Sequence, residues 1–132
     1  MKILLIEDDK IIWPNIKEYL EENNFIVKLE TFWDLWLKEA NKNIYDLYIF
    51  DVMLPNMNWF EIAKKIREKN KETPIIFLTA KEDLESKEIW FNLWADDYLT
   101  KPFKLKELLL RVRSIINRTS KTWWENINKI IS

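Results

Sequence analysis

Short apolar runs of strand length alternate along the chain with longer stretches in which apolar residues recur every three or four positions. KILLI at 2–6 reads as a strand. Over 11–22 the period lengthens: Ile12, Ile16, Tyr19 and Leu20 fall on one face of a helix that tolerates Pro14 in its first turn. A strand at 25–29 follows, then a helix at 33–41 with Leu37 and Ala40 inward. A third strand at 47–50 (LYIF) precedes a helix at 60–69 that turns Ile62, Ala63 and Ile66 to the core. Pro74 announces a fourth strand at 75–78 (IIFL), and a fourth helix covers 84–93. Tyr98 and Leu99 make a short fifth strand. The last helix, 105–117, places Leu108, Leu109, Val112, Ile115 and Ile116 inward.

Strict alternation of strands and helices predicts an α/β domain: a parallel sheet with helices on both faces. The near-continuous apolar strands agree with burial on both sides. Residues 1–118 form this domain. RTSK at 118–121 reads as its exit and 119–132 as a linker or tail, although Thr122 and Glu125 have capping-box spacing and Trp124, Ile127 and Ile131 can share a helical face.

In open α/β sheets ligands bind beyond the carboxyl ends of the strands. The residues predicted there are Glu7, Asp8 and Asp9 after the first strand, Asp51 after the third, Thr79 and Ala80 after the fourth, and Lys101 after the fifth. Crowded carboxylates repel one another unless a cation sits among them, and all-oxygen donors suit Mg²⁺ or Ca²⁺. An aspartate can also act as a nucleophile toward a phosphoryl group, with a lysine and a hydroxyl binding the transferred oxygens. Each residue alone has a structural explanation, such as acids at a helix N-terminus. Their joint placement on one rim favours the chemical reading.

Composition narrows the classes. The 132 residues are 48% hydrophobic and 33% charged, enough for a core and a charged surface, and no apolar run reaches membrane-span length. The chain contains neither cysteine nor histidine, which removes disulfides, thiolate chemistry and Ser-His-Asp triads. The net charge of −1 argues against a domain whose main task is gripping a phosphate backbone. A cytoplasmic location is the default expectation.

Four stretches carry a resemblance: ILLIEDD at 3–9, YIFDVMLPNM at 48–57, FLTA at 77–80 and ADDYLTKPF at 95–103. Over about 2–118 the chain resembles the receiver domains of two-component response regulators, most of all those carrying a winged-helix DNA-binding domain (the OmpR/PhoB type). The resemblance implies the flavodoxin-like (CheY-like) fold, five strands in the order 2-1-3-4-5 with five helices. It makes Asp51 the aspartate that accepts a phosphoryl group from a histidine kinase. Mg²⁺ would be held by Asp8 and Asp51, by Glu7 through water, and by the Met53 carbonyl. Thr79 and Lys101 would bind the phosphoryl group, Tyr98 would be the switch aromatic, and the bond from Lys101 to Pro102 would be cis. It further implies a phosphorylation-driven homodimer through the fourth helix, fifth strand and fifth helix, where Lys87, Asp96, Asp97, Glu107, Arg111 and Arg113 are the candidate charges. Asp97 would meet Arg111 of the partner. DNA would be reached only through an effector domain beyond 119–132, and the domain would be a phosphoacceptor rather than a turnover enzyme. A phosphohydrolase with an aspartate nucleophile is the rival enzyme class, and it usually needs an acid where Met53 stands.

One departure is compositional. Glycine is absent and there are eight tryptophans, where a typical usage of ~7% gives roughly nine glycines. The resemblance puts glycine at Trp36, Trp59, Trp90 and Trp94. A bulky residue at a left-handed position, or an indole added to a packed site, is destabilising. That supports an alternative, an inactive or altered scaffold of the same fold. Asn24 stands where a helix-terminating glycine is common and tolerates the left-handed conformation.

Overall fold

The computed structural model describes residues 1–7, 15–51, 59–80 and 95–131, with backbone only at 59–60 and 119–131. Strands β1 (Lys2–Ile6), β2 (Ile26–Glu30), β3 (Leu47–Asp51), β4 (Ile75–Ala80) and β5 (Asp97–Lys101) form one parallel sheet in the order β2-β1-β3-β4-β5. Among the described residues there are four helices: α1 (Ile16–Glu22), α2 (Trp33–Lys42), α3 (Trp59–Lys69) and α4 (Leu105–Ile131). The helix expected at 84–93 lies outside the described residues, so α4 corresponds to the fifth helix of the sequence reading.

The two-residue period of the strands divides the core into two layers. Ile3, Leu5, Leu47, Ile49, Ile76 and Leu78 turn to one face, where Ile16 and Leu20 of α1 and Leu108 and Val112 of α4 cover them. Leu4, Ile6, Tyr48, Phe50, Ile75 and Phe77 turn to the other, against Trp36 of α2 and Ile62, Ala63 and Ile66 of α3. Each large side chain so buried contributes roughly 1.5–3 kcal/mol. A sheet covered on both faces therefore anchors the rim formed by its strand ends.

Several boundaries differ from the sequence reading, each for a local reason. The first helix starts at Ile16, not at residue 11: Asn15 is extended and accepts the Glu18 N–H at 3.0 Å, while its Nδ2 donates to the Glu18 carboxylate at 3.1 Å. This is an N-cap with a reciprocal acid three residues on. Ile12 and Pro14 lie outside the described residues. At the other end Asn24 has φ 72°, the one positive φ among the described residues, and the turn is closed by Asn24 N–H to Glu21 O and Phe25 N–H to Leu20 O. β3, β4 and β5 run further than their apolar runs, so Asp51 and Lys101 are the last residues of their strands and Thr79 the penultimate one.

The tail read as a linker is helical. α4 continues unbroken to Ile131, 27 residues or about 40 Å. Neither proline nor glycine occurs between Phe103 and Ser132 to stop it.

Trp36 does not create the clash anticipated for it. It lies within α2, away from any left-handed position, fully buried. Its ring meets Tyr48 and Phe50 edge-on, both with centroids 5.2 Å apart. Trp59 opens α3, and Trp90 and Trp94 lie outside the described residues.

Candidate functional site

The carboxyl rim collects the chemistry. Residues 51 and 101 share the sheet face covered by α1 and α4, because each is an even number of residues from an inward-facing Ile49 or Leu99 on its own strand. β4 lies between their strands, and the long Lys101 side chain crosses it. Its Nζ donates to Asp51 Oδ2 at 2.7 Å. The Asp51 side chain is buried at 4% exposure while Lys101 stays at 34%, so the ammonium closes over a carboxylate otherwise sunk in the rim.

Glu7 follows β1 and extends its ladder, its N–H reaching Glu30 O at 3.3 Å. Ile6 is level with Phe50, so Glu7 leaves the sheet beside Asp51, and both are buried. Thr79, fully buried, donates its hydroxyl to the Ala80 carbonyl at 3.2 Å. It sits on the face opposite Asp51, the same face as Tyr98, which pairs with Phe77 two residues before it. The bond from Lys101 to Pro102 is cis. Asp8, Asp9 and Met53 lie outside the described residues.

The described dimer-face candidates bond to different partners within the chain. Asp96 turns toward α3, where its carboxylate meets Arg67 Nη2 at 3.1 Å and accepts the Ile75 N–H at 2.9 Å. Asp97, on the opposite face of the strand, is bound by Arg111 Nη1 at 2.8 and 3.0 Å within the same chain. Glu107 lies 3.6 Å from the other Arg111 nitrogen. The bond to Asp97, chiefly, holds the Arg111 guanidinium above its ordinary pKa. Arg113 reaches toward Asn23 Oδ1 at 3.4 Å, and Lys87 is outside the described residues. Glu107, Asp97 and Arg111 thus make one cluster, while Asp96 and Arg113 belong elsewhere.

Sequence reasoning missed Arg67. Besides Asp96 it donates to the carbonyls of Asn70 (3.2 Å) and Thr73 (2.7 Å), and burial pushes its guanidinium below the ordinary pKa although Asp96 works the other way. Its one local signal is a basic residue in the last turn of a helix.

The fold and rim define the class: a flavodoxin-like open α/β domain with a buried aspartate at a strand end, bridged by a lysine from the edge strand. The chain belongs to the response regulator receiver domain family, whose model matches residues 3–113. It is 42% identical over 122 residues to the transcriptional regulatory protein CiaR of Streptococcus pneumoniae, covering 92% of this chain and 54% of that protein. The response regulator ArlR of Staphylococcus saprophyticus is 43% identical over 117 residues, 89% of this chain and 53% of the relative. The chain therefore spans about half the length of these relatives. Among solved structures, the receiver domain of the Francisella response regulator 1452 superposes with a TM-score of 0.79 at 36% identity, covering 89% and 98% of the two chains. A CheY-like receiver domain protein from Methanospirillum hungatei gives a TM-score of 0.82 at 26% identity, covering 92% and 97%. Among the described residues, no helix is long and apolar enough to cross a membrane.

Proposed function

We propose that this chain is a phosphorylation-dependent switch: Asp51 accepts a phosphoryl group from the phosphohistidine of a sensor kinase, and the new charge changes what the domain binds. The observation that carries the reading is the Lys101 ammonium 2.7 Å from the buried Asp51 carboxylate. In the transfer an Asp51 oxygen attacks phosphorus, the P–N bond breaks and the histidine nitrogen leaves with its electron pair. In this reading Lys101 shifts from carboxylate to phosphoryl oxygen as charge moves there, and the Thr79 hydroxyl leaves Ala80 O and swings over the end of β4 to the same group.

Buried Glu7 and Asp51 offer hard oxygen donors side by side, a set that fits Mg²⁺. Asp8, Asp51 and the Met53 carbonyl would hold the ion, with Glu7 bound through water. When bound, the ion would supply neutralisation of the negative charge gathered at the rim. The domain is a phosphoacceptor that promotes its own transfer and hydrolysis, not a turnover enzyme, and acts in the cytoplasm.

Thr79 and Tyr98 occupy one face of adjacent strands. Movement of Thr79 toward the phosphoryl group opens space for the aromatic ring and shifts the surface of β5 and α4 between two states. The output is twofold pairing of that surface and control of a DNA-binding effector in the longer protein, consistent with relatives named as transcriptional regulators.

Incubation with acetyl phosphate and Mg²⁺ should give a stable adduct of about 80 Da, lost in Asp51→Asn. Turnover of the donor without an adduct would favour a hydrolase. No reaction at all would favour the altered scaffold.

A further inference from the structure

We propose that Asp96, held by Arg67, is a positioning residue for phosphoryl transfer: it locks the register of edge strand β5 on β4 and thereby sets the reach of Lys101 to Asp51. This inference rests on the phosphoacceptor reading and adds a regulator of that same site.

Among the described residues, β5 has a sheet neighbour on one side only, β4. Its own apolar signal is thin, since Leu99 is its one buried residue and the rest are half-buried. Register is specified strongly where a strand buries a whole face and weakly where it does not. A slip of one residue would turn every β5 side chain to the opposite face. Lys101 would then point away from Asp51.

A polar lock sits where the strand enters the sheet. Asp96 and Ile75 exchange two bonds, Asp96 N–H to Ile75 O and Ile75 N–H to Asp96 Oδ2, both at 2.9 Å. Proline at 74 has no N–H, so the exchange cannot move one residue back along β4. Arg67 holds the same Oδ2 at 3.1 Å while its other terminal nitrogen grips the carbonyls of Asn70 and Thr73. Asn70 in turn donates to Thr73 Oγ1 and to Tyr48 Oη. The carboxylate is thereby fixed to the loop between α3 and β4. From this rung the pairing runs Ile76 with Asp97 through Ala80 with Lys101. Lys101 lies five residues, about 17 Å, along the strand. The lock is remote from the chemistry and acts on it only through register.

The test measures phosphorylation of Asp51 by acetyl phosphate with Mg²⁺, amide exchange of β5, and a double-mutant cycle with Lys101. Asp96→Ala should slow phosphorylation roughly ten- to a hundredfold. It should speed exchange of β5 amides while β1 and β3 amides stay protected. Asp96→Asn, which keeps an acceptor for the Ile75 N–H, should recover part of the rate. In the Lys101→Ala background Asp96→Ala should slow the reaction no further, an outcome a merely structural role would not give. Additive losses, or an unchanged rate in Asp96→Ala, would overturn the proposal. Should Asp96→Ala fail to fold, Arg67→Met and Asp96→Asn carry the same cycle. Should the unsubstituted chain take no phosphoryl group, the phosphoacceptor reading falls separately. The lock is then decided by the NMR shifts of the Lys101 side chain, which must change in Asp96→Asn if it holds and stay fixed if it does not.

Discussion

Arg111 closes on Asp97 of its own chain, one guanidinium nitrogen serving both carboxylate oxygens at 2.8 and 3.0 Å. The twofold pairing expected from the sequence gives Asp97 a different partner, Arg111 of a second copy. The two arrangements compete for the same groups, so any such dimer must first open the internal pair. Both side chains are partly exposed, so the internal pair is worth about 0.2–1 kcal/mol and can be exchanged.

With a phosphoryl mimic such as beryllofluoride, the dimer fraction by sedimentation should rise in the unsubstituted chain and fall in Arg111→Glu. Adding Asp97→Arg should restore it. Urea stability of the monomer should follow the same loss and recovery, because the swapped charges also pair internally. A dimer fraction indifferent to the mimic would remove dimerisation from the output and leave phosphorylation untouched.

Asn24 makes a second prediction. At φ 72° glycine carries no Cβ penalty and a β-branched residue carries the largest. Asn24→Gly should leave stability unchanged or raise it by up to about 1 kcal/mol, whereas Asn24→Val should lower it by about 1–2 kcal/mol in urea unfolding. Equal stability of the two variants would contradict the left-handed turn.

Trp36 makes a third. Its ring fills the layer between α2 and the Tyr48 and Phe50 side of the sheet, and its Nε1–H finds no acceptor among the described residues. Trp36→Ala should cost about 3–5 kcal/mol through the cavity it leaves. Trp36→Phe should cost less, because a ring stays in the layer and the cavity is smaller. The ranking can be read from urea midpoints.

The strand ends are legible because the sequence is punctuated there: Glu7, Asp51 and Thr79 each follow an apolar run, and Lys101 stands just before Pro102. Their grouping on one rim followed from the alternation alone. The contact between Lys101 and Asp51 spans 50 residues, so its distance came only from the folded sheet. Arg67 and Asp96 are 29 residues apart, and neither carries a local signal that it has a partner. Asp96 and Asp97 look equivalent in the sequence, yet strand alternation sends them to opposite layers, one to α3 and one to α4. The end of α4 was misread because RTSK is polar. Polarity marks exposure, and a helix with nothing to break it can continue through an exposed stretch.

The pair formed by Glu39 and Tyr45 predicts a pH signature far from the rim. Tyr45 Oη and Asn43 Nδ2 both donate to Glu39 Oε1 at 2.6 Å. The Tyr45 bond, and then the Asn43 bond, hold the Glu39 carboxyl below its ordinary pKa. A carboxyl lowered by folding stabilises the fold above its unfolded pKa, and that contribution disappears as pH falls through the folded value. Tyr45 is shifted the other way: burial first, and then the bond to Glu39, push its phenol above its ordinary pKa. A phenol raised by folding stabilises while protonated in both states. The unfolded chain begins to ionise near pH 10, and the contribution is lost as pH rises from there toward the folded value. Tyr45→Phe removes the phenol titration and the Tyr45 share of the Glu39 shift, leaving the Asn43 share, together with one hydrogen bond worth about 1 kcal/mol. The stability difference between the unsubstituted chain and Tyr45→Phe should therefore form a plateau across neutral pH. It should shrink on the acid side below the ordinary carboxyl range and on the alkaline side above the ordinary phenol range. Urea midpoints at a series of pH values measure it, and a difference that stayed constant from acid to alkali would show that the two side chains do not titrate as a coupled pair.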